Sequence, residues 1–162
     1  MAISQSVVSE TTHPIDLAVN YARRDFPRPA ASTNNVNREL YQAVDGRVWF
    51  YPNVRNYWSN TGSQAPADWF SLDFGAEKQF HSARLYFYAD GAKFKAPEKY
   101  ALQYWTGEKW TDVSDSQKTP GQPLANGENI ILFQPVTTSK LRALFTNPKQ
   151  ASIALVEFKV FD

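Results

Sequence analysis

The chain has 162 residues, of which 43% are hydrophobic, 20% charged and 15% aromatic, a balance suited to one globular domain with a substantial core. Its 17 basic and 16 acidic residues leave a formal charge of +1 with no basic run, which argues against a surface that tracks nucleic-acid phosphates. Cysteine is absent, excluding disulfides, thiolate metal sites and cysteine nucleophiles, and no apolar run approaches the length of a membrane span.

The first residues, MAISQSVVSETTHP, carry neither a basic start nor a long apolar core and are not expected to act as a signal peptide. Residues 15–21 (IDLAVNY) suit a short strand or a helix, and Pro27-Arg28-Pro29 then enforces an extended segment. Residues 37–43 suit one short helical turn. After Asp45-Gly46 comes an aromatic loop, RVWFYPNVRNYWSNTGSQAP, in which Pro52, Gly62 and Pro66 prevent a regular element.

Strand periodicity begins at residue 69. In 69–74, Phe70, Leu72 and Phe74 share one face, while Trp69, Ser71 and Asp73 share the other. In 80–88, Ala83, Leu85 and Phe87 alternate with Arg84, Tyr86 and Tyr88, and Gly75-Ala76-Glu77-Lys78 reads as a polar link between two strands. Asp90-Gly91 closes the second strand. Residues 100–105 and 109–113, joined through Thr106-Gly107-Glu108, read as a hairpin. Residues 114–127 read as loop, and 129–133, 140–146 and 154–161 as three further strands. In the last, Ala154, Val156, Phe158 and Val160 would form one face, with Glu157 on the other. Seven or more strands with no long helix predict an all-β, single-domain β-sandwich of jelly-roll type over residues 28–162. Residues 1–27 would be either a linker or a segment packed on the sandwich.

The order of these pieces resembles the coagulation-factor type C (discoidin) domain and its relatives in carbohydrate-binding module family 32, within the galactose-binding-like superfamily. The resemblance runs from about Arg28 to Asp162. It rests on PAAS (29–32), AVDG (43–46), NYWSN (56–60), WFSLDFG (69–75), SARLYFY (82–88), EKYALQYWTGEKWTDV (98–113), KLRALF (140–145) and LVEFKVF (155–161), all in the family's order. It implies a galactose-binding-like jelly roll that binds rather than catalyses. The aromatic-rich form looks most like ancillary domains of polysaccharide-degrading enzymes. One departure stands out: where galactose-binding members carry a sugar-contacting Arg and Asn, this chain has Tyr88, Asp90, Lys93 and Lys95, so galactose specificity does not carry over.

The resemblance implies a structural Ca2+ held by Asp45 and Glu157, with backbone carbonyls near Ala43, Arg47 and Val156 completing an oxygen cage. The alternative is that Asp45 only shapes a turn and Glu157 only pairs with a basic side chain. A sugar site needs flat aromatic faces for stacking and planar polar groups for paired hydrogen bonds. The expected ligand-binding residues are Trp49, Tyr51, Arg55, Asn56 and Tyr57 in one loop, and Tyr88, Asp90 and Lys93 in a second loop that the resemblance puts at the same end of the fold. Trp58 is expected in the core, and Trp69, Trp105 and Trp110 are read as core packing too. His13 and His81, isolated and without Cys, make neither a zinc set nor a triad and are expected in solvent.

The leading expectation is a non-catalytic carbohydrate-binding module, monomeric, linked to a catalytic domain in an extracellular parent protein. Its partner would be a polysaccharide or oligosaccharide, not nucleic acid or a membrane. The alternative is phospholipid or cell-surface protein binding, with Trp49-Phe50-Tyr51 as apolar spikes, although Lys and Arg are not concentrated beside them in sequence. An enzyme is disfavoured. Asp68, Asp73 and Asp90 lie near one another in sequence as paired glycosidase carboxylates would, but Asp73 reads as a strand residue and Asp90 as a turn.

Overall fold

The computed structural model describes residues 14–51 and 53–162; the remainder, including His13, lies outside them. Eight strands and one short helix follow in the order β1 (Arg28–Ala31), α1 (Asn37–Gln42), β2 (Trp58–Ser59), β3 (Ala67–Tyr88), β4 (Lys99–Trp105), β5 (Trp110–Asp112), β6 (Gln117–Thr119), β7 (Glu128–Thr146) and β8 (Ala154–Phe161). All strand pairs are antiparallel, with the order β2-β8-β3-β7-β4-β5, while β1 adds to β3 and β6 to β7.

Two very long strands make the sandwich. The first part of β3 pairs with β1 and with the end of β7, as in Arg28↔Asp73 and Leu72↔Leu141. The second part pairs with β8 and with the beginning of β7, as in Leu85↔Phe158 and Ala83↔Ile131. Each strand therefore serves both layers, β1-β3-β7-β4-β5 and β2-β8-β3-β7-β6. The layers meet through aromatic rings, with Phe70 6.4 Å from Phe158 and Phe87 5.7 Å from Phe145 between centroids. Trp58, Phe70, Phe80, Phe87, Phe145 and Phe158 are all fully buried there.

The bends are where expectation and structure part. Gly75-Ala76-Glu77-Lys78 is not a loop between strands; it stays extended while the β3–β7 register shifts between Asp73 and Lys78. Gly75, at φ +78°, lies so close to Phe26 that an added Cβ would stand 2.7 Å from its ring. Residues 129–133 and 140–146 likewise belong to one strand. Pro135, which lacks a ladder donor, is accommodated because pairing skips between Leu132 and Val136. β6 lies inside the stretch read as loop, pairing with 130–132 of β7. In β8, pairing skips Val156, so Leu155, Phe158 and Val160 join the main core while Ala154 and Val156 face a second cluster with Tyr86, Tyr88 and Phe94. The four-residue face expected from strict alternation is thus divided by a bulge.

Residues 15–21 form neither strand nor helix but turns that follow β8. Leu17 donates its N–H to the Val160 carbonyl at 2.8 Å, Asp16 Oδ1 accepts from the Val160 N–H at 3.1 Å, and Ala18 is fully buried. Asn20 then holds the next turn, its Nδ2 donating to the carbonyls of Arg24 and Pro27, both at 2.9 Å. No helix among the described residues is long and apolar enough to cross a membrane.

Candidate functional site

The loop after α1 is anchored from below. Leu40, Tyr41 and Gln42 bury one side of the helix, and the Phe158 N–H donates to the Ala43 carbonyl at 2.8 Å. The chain turns at Gly46, φ +81°, whose N–H donates to Glu157 Oε2 at 2.8 Å. Asp45 Oδ1 accepts from the Arg47 N–H at 2.9 Å. Glu157 of β8, opposite Tyr86 of β3, is fully buried, and its Oε1 has no hydrogen-bond partner among the described residues. Burial pushes its carboxyl up to about 10; the Gly46 N–H works against that, and the Asp45 and Asp16 charges add to it. Glu157 pairs with no Arg or Lys among the described residues. No three His, Cys, Asp or Glu residues cluster as a metal cage among them either.

Above this anchor lies a cleft of about 760 Å³. Arg47, Trp49, Arg55 and Asn56 line it from the loop, and Tyr21 and Arg23 from the amino-terminal segment; Asp45 is its one carboxylate among the described residues. Trp49 is 43% exposed and meets the exposed Tyr51 edge-on at 5.0 Å. Arg55 bonds Glu39 at 2.7 Å, and its guanidinium carbon lies 4.9 Å from the Tyr57 ring centroid. Arg47 Nη2 donates to the Tyr21 hydroxyl at 3.2 Å, and its guanidinium lies 5.3 Å over the same ring. Flat aromatic faces and fixed guanidinium forks therefore share one open recess.

The eight expected ligand residues fall into distinct places. Trp49, Arg55 and Asn56 line the cleft, and Tyr51 stands beside Trp49. Tyr57 stacks on Tyr88 at 5.9 Å and meets Phe94 edge-on at 5.2 Å, so this pair packs the loop base, with Tyr88 buried. Asp90 Oδ1 accepts from the N–H groups of Ala92 at 2.9 Å and Phe94 at 3.0 Å, and these bonds hold its exposed carboxyl below the usual range. Lys93 lines a separate recess of about 460 Å³ with Asn60, Asn147 and Gln150. Tyr21, Arg23 and Arg47 were not among the expected residues. Arg47 had a signal, being the first residue of the aromatic loop, whereas nothing local marks Tyr21 or Arg23.

The other singled-out residues have structural partners. Trp58 is fully buried and donates from Nε1 to the Asn34 carbonyl at 3.1 Å. Trp69, Trp105 and Trp110 are not in the core. They lie half-buried on the outer face of one layer, where Arg142 sits 4.6 Å from the Trp110 ring and 5.7 Å from Trp69. Clustering is satisfied there by guanidinium–indole contact instead of by the opposing sheet. His81 is exposed. Asp68 is buried under donors from Ser32, Asn60 and Asn147, and Asp73 bonds the Gly75 N–H and approaches Lys140, so neither faces the cleft.

The sequence profile of the F5/8 type C domain matches residues 29–158. The chain belongs to that family. Solved structures share its fold at low identity. A chain of the Streptococcus pneumoniae beta-galactosidase BgaA superposes with a TM-score of 0.83 at 17% identity, covering 93% of this chain and 99% of that one. Chitosan-binding module 1 from a Paenibacillus sp. IK-5 chitosanase/glucanase gives 0.64 at 19%, covering 91% and 99%. A Clostridium perfringens module, CpGH89CBM32-5, in complex with GalNAc-beta-1,3-galactose, gives 0.66 at 14%, covering 91% and 100%. Asp68, Asp73 and Asp90 each carry structural hydrogen bonds in this fold.

Proposed function

We propose that this protein is a non-catalytic carbohydrate-binding module that holds an extracellular, polysaccharide-degrading parent enzyme against its substrate. The observation that carries the reading is the exposed Trp49 ring at the wall of a cleft that also holds the Arg55 guanidinium and the Asn56 amide. A pyranose C–H face stacks on the indole, and its hydroxyls take paired hydrogen bonds from the planar polar groups. The neighbours that bind chitosan or GalNAc-beta-1,3-galactose share this fold, which supports the class of ligand without naming the sugar. Tethering raises effective concentration, so modest affinity suffices on a polymer. A panel of immobilised polysaccharides, probed with wild type, Trp49→Ala and Arg55→Ala, tests this. Binding should vanish or fall steeply in both folded variants; undiminished binding in both places the site elsewhere.

Ca2+ in this reading is a structural ion between Asp45 and Glu157. Support comes from Glu157 Oε1, a buried carboxyl oxygen with no hydrogen-bond partner among the described residues. Two carboxylates and nearby carbonyls are the available donors, and the ion would stiffen the cleft rim.

One observation favours a second reading, binding to an anionic lipid surface. Val48, Trp49, Tyr51 and Val54 are all exposed on one loop, and Arg23, Arg47 and Arg55 line the adjoining cleft. Sedimentation with phosphatidylserine vesicles decides it: co-sedimentation lost in Trp49→Ala supports a lipid site, and protein left in the supernatant removes it.

A further inference from the structure

We infer that the cleft selects acidic glycans, carrying carboxylate or sulfate groups, and that Arg23 and Arg47 make the selection. The inference rests on the glycan-binding reading above and narrows it. Three guanidiniums, Arg23, Arg47 and Arg55, line the cleft against a single carboxylate, Asp45, among the described residues. Arg55 is already neutralised by Glu39 at 2.7 Å, but neither Arg23 nor Arg47 holds an ion pair among the described residues.

Their placement is built. Arg47 is held by the Tyr21 hydroxyl at 3.2 Å and by stacking over the Tyr21 ring, which fixes its fork without spending its charge. Tyr21 and Arg23 are themselves carried by the turn that Asn20 closes through its bonds to Arg24 and Pro27. Asn20 is buried, and its own N–H donates to the Val44 carbonyl at 2.7 Å, tying that turn to the strand-side anchor of the loop. The amino-terminal segment is thus a wall of the binding cleft and supplies one of the two lining cations that hold no ion pair among the described residues. A guanidinium offers parallel N–H donors that match a carboxylate or a sulfate, and its desolvation is modest. A neutral glycan would leave Arg23 and Arg47 unmatched. An amino-sugar polymer would meet them with like charge.

Calorimetric titration of the full chain with four glycans tests the selection: polygalacturonate, its carboxyl-reduced neutral form, a sulfated galactan, and the same galactan after desulfation. Expected is binding to at least one acidic polymer about tenfold or more tighter than to its neutral counterpart, weakening as salt is raised. The preferred pair identifies carboxylate or sulfate as the recognised group. Arg23→Gln and Arg47→Gln should each abolish most of the preference, lowering affinity for the acidic form far more than for the neutral one. Trp49→Ala should weaken both members of a pair. Equal affinity within both pairs, with Trp49→Ala still damaging, would overturn the acidic selection and leave glycan binding intact. No binding to any of the four, nor to the wider polysaccharide panel, would remove the glycan reading and the selection with it.

Discussion

Gly46 and Glu157 are joined by a 2.8 Å bond from a backbone N–H to a carboxylate oxygen, across 111 positions of sequence. That bond fastens the rim of the binding cleft to the closing strand of the sandwich. It also leaves half of a buried carboxyl group unanswered, since Glu157 Oε1 has no partner among the described residues. Glycine is required at the donor position, where φ is +81° and a Cβ would press on Val19 at 3.3 Å.

If Ca2+ completes this site, it stabilises the folded state by mass action. At about one hundred times its dissociation constant the gain is about 2.7 kcal/mol, roughly 5–10 °C for a chain of this size. Calorimetric melting with Ca2+ and with EDTA reads it directly. The wild type should show the increment, and Glu157→Gln and Asp45→Asn should lack it. Identical melting in both buffers contradicts a structural ion.

The two tryptophans Trp49 and Trp58, nine positions apart, should separate binding from stability. Trp58→Ala opens a cavity beneath Phe70 and Phe145 and strands the Asn34 carbonyl, costing about 3–5 kcal/mol in denaturant titrations. Trp49→Ala removes an exposed ring and should stay within about 0.5 kcal/mol of wild type. A large loss for Trp49→Ala would make it a packing residue.

Asp68 gives an acid limb to the stability profile. Burial alone would raise its carboxyl, but donors from Ser63, Ser32, Asn147 and Asn60 hold it below the usual aspartate value. A lowered folded value means the stabilisation is present above the unfolded pKa, about 3.9, and is lost as pH falls through the folded value. Asp68→Asn, which turns an amide N–H2 toward amide donors, should cost about 3 kcal/mol at pH 7 and less below pH 3. A cost independent of pH between 7 and 2 would contradict this.

Gly75 is a second glycine whose substitution can be tested. Gly75→Ala should destabilise by about 1–3 kcal/mol, from the positive φ and from the clash with Phe26. In a Phe26→Ala background the clash is relieved and only the backbone part remains. Equal costs in both backgrounds would show that Phe26 moves aside freely.

The sandwich was legible where period-two alternation is uninterrupted. Phe70, Leu72 and Phe74 point inward as their spacing predicts, and the same alternation puts Trp69 with Ser71 and Asp73 on the outer face. Trp69 follows that spacing and not its apolar character. Continuity of β3 and β7 was not legible, because Gly75 and Pro135 punctuate loops far more often than bulges. Nor was the divided face of β8, since a bulge at Val156 leaves no local mark.

Of the cleft, the loop's own mixture of Trp49, Arg55 and Asn56 was readable from residue types alone. Tyr21 and Arg23 were not, because an irregular segment has no periodicity from which its docking could be inferred. Tyr57 and Tyr88 carry the same chemistry as a sugar platform, yet in the structure they stack on one another, a contact between positions 31 apart in sequence.

Nitrogen-15-edited NMR of the five tryptophan indole N–H signals during titration with a bound polysaccharide fragment tests the glycan cleft most directly. Capture at the 47–57 loop predicts that the Trp49 signal moves while those of Trp58, Trp69, Trp105 and Trp110 stay in place. Movement of Trp69, Trp105 and Trp110 with Trp49 unchanged would put the glycan on the outer sheet face and contradict the cleft.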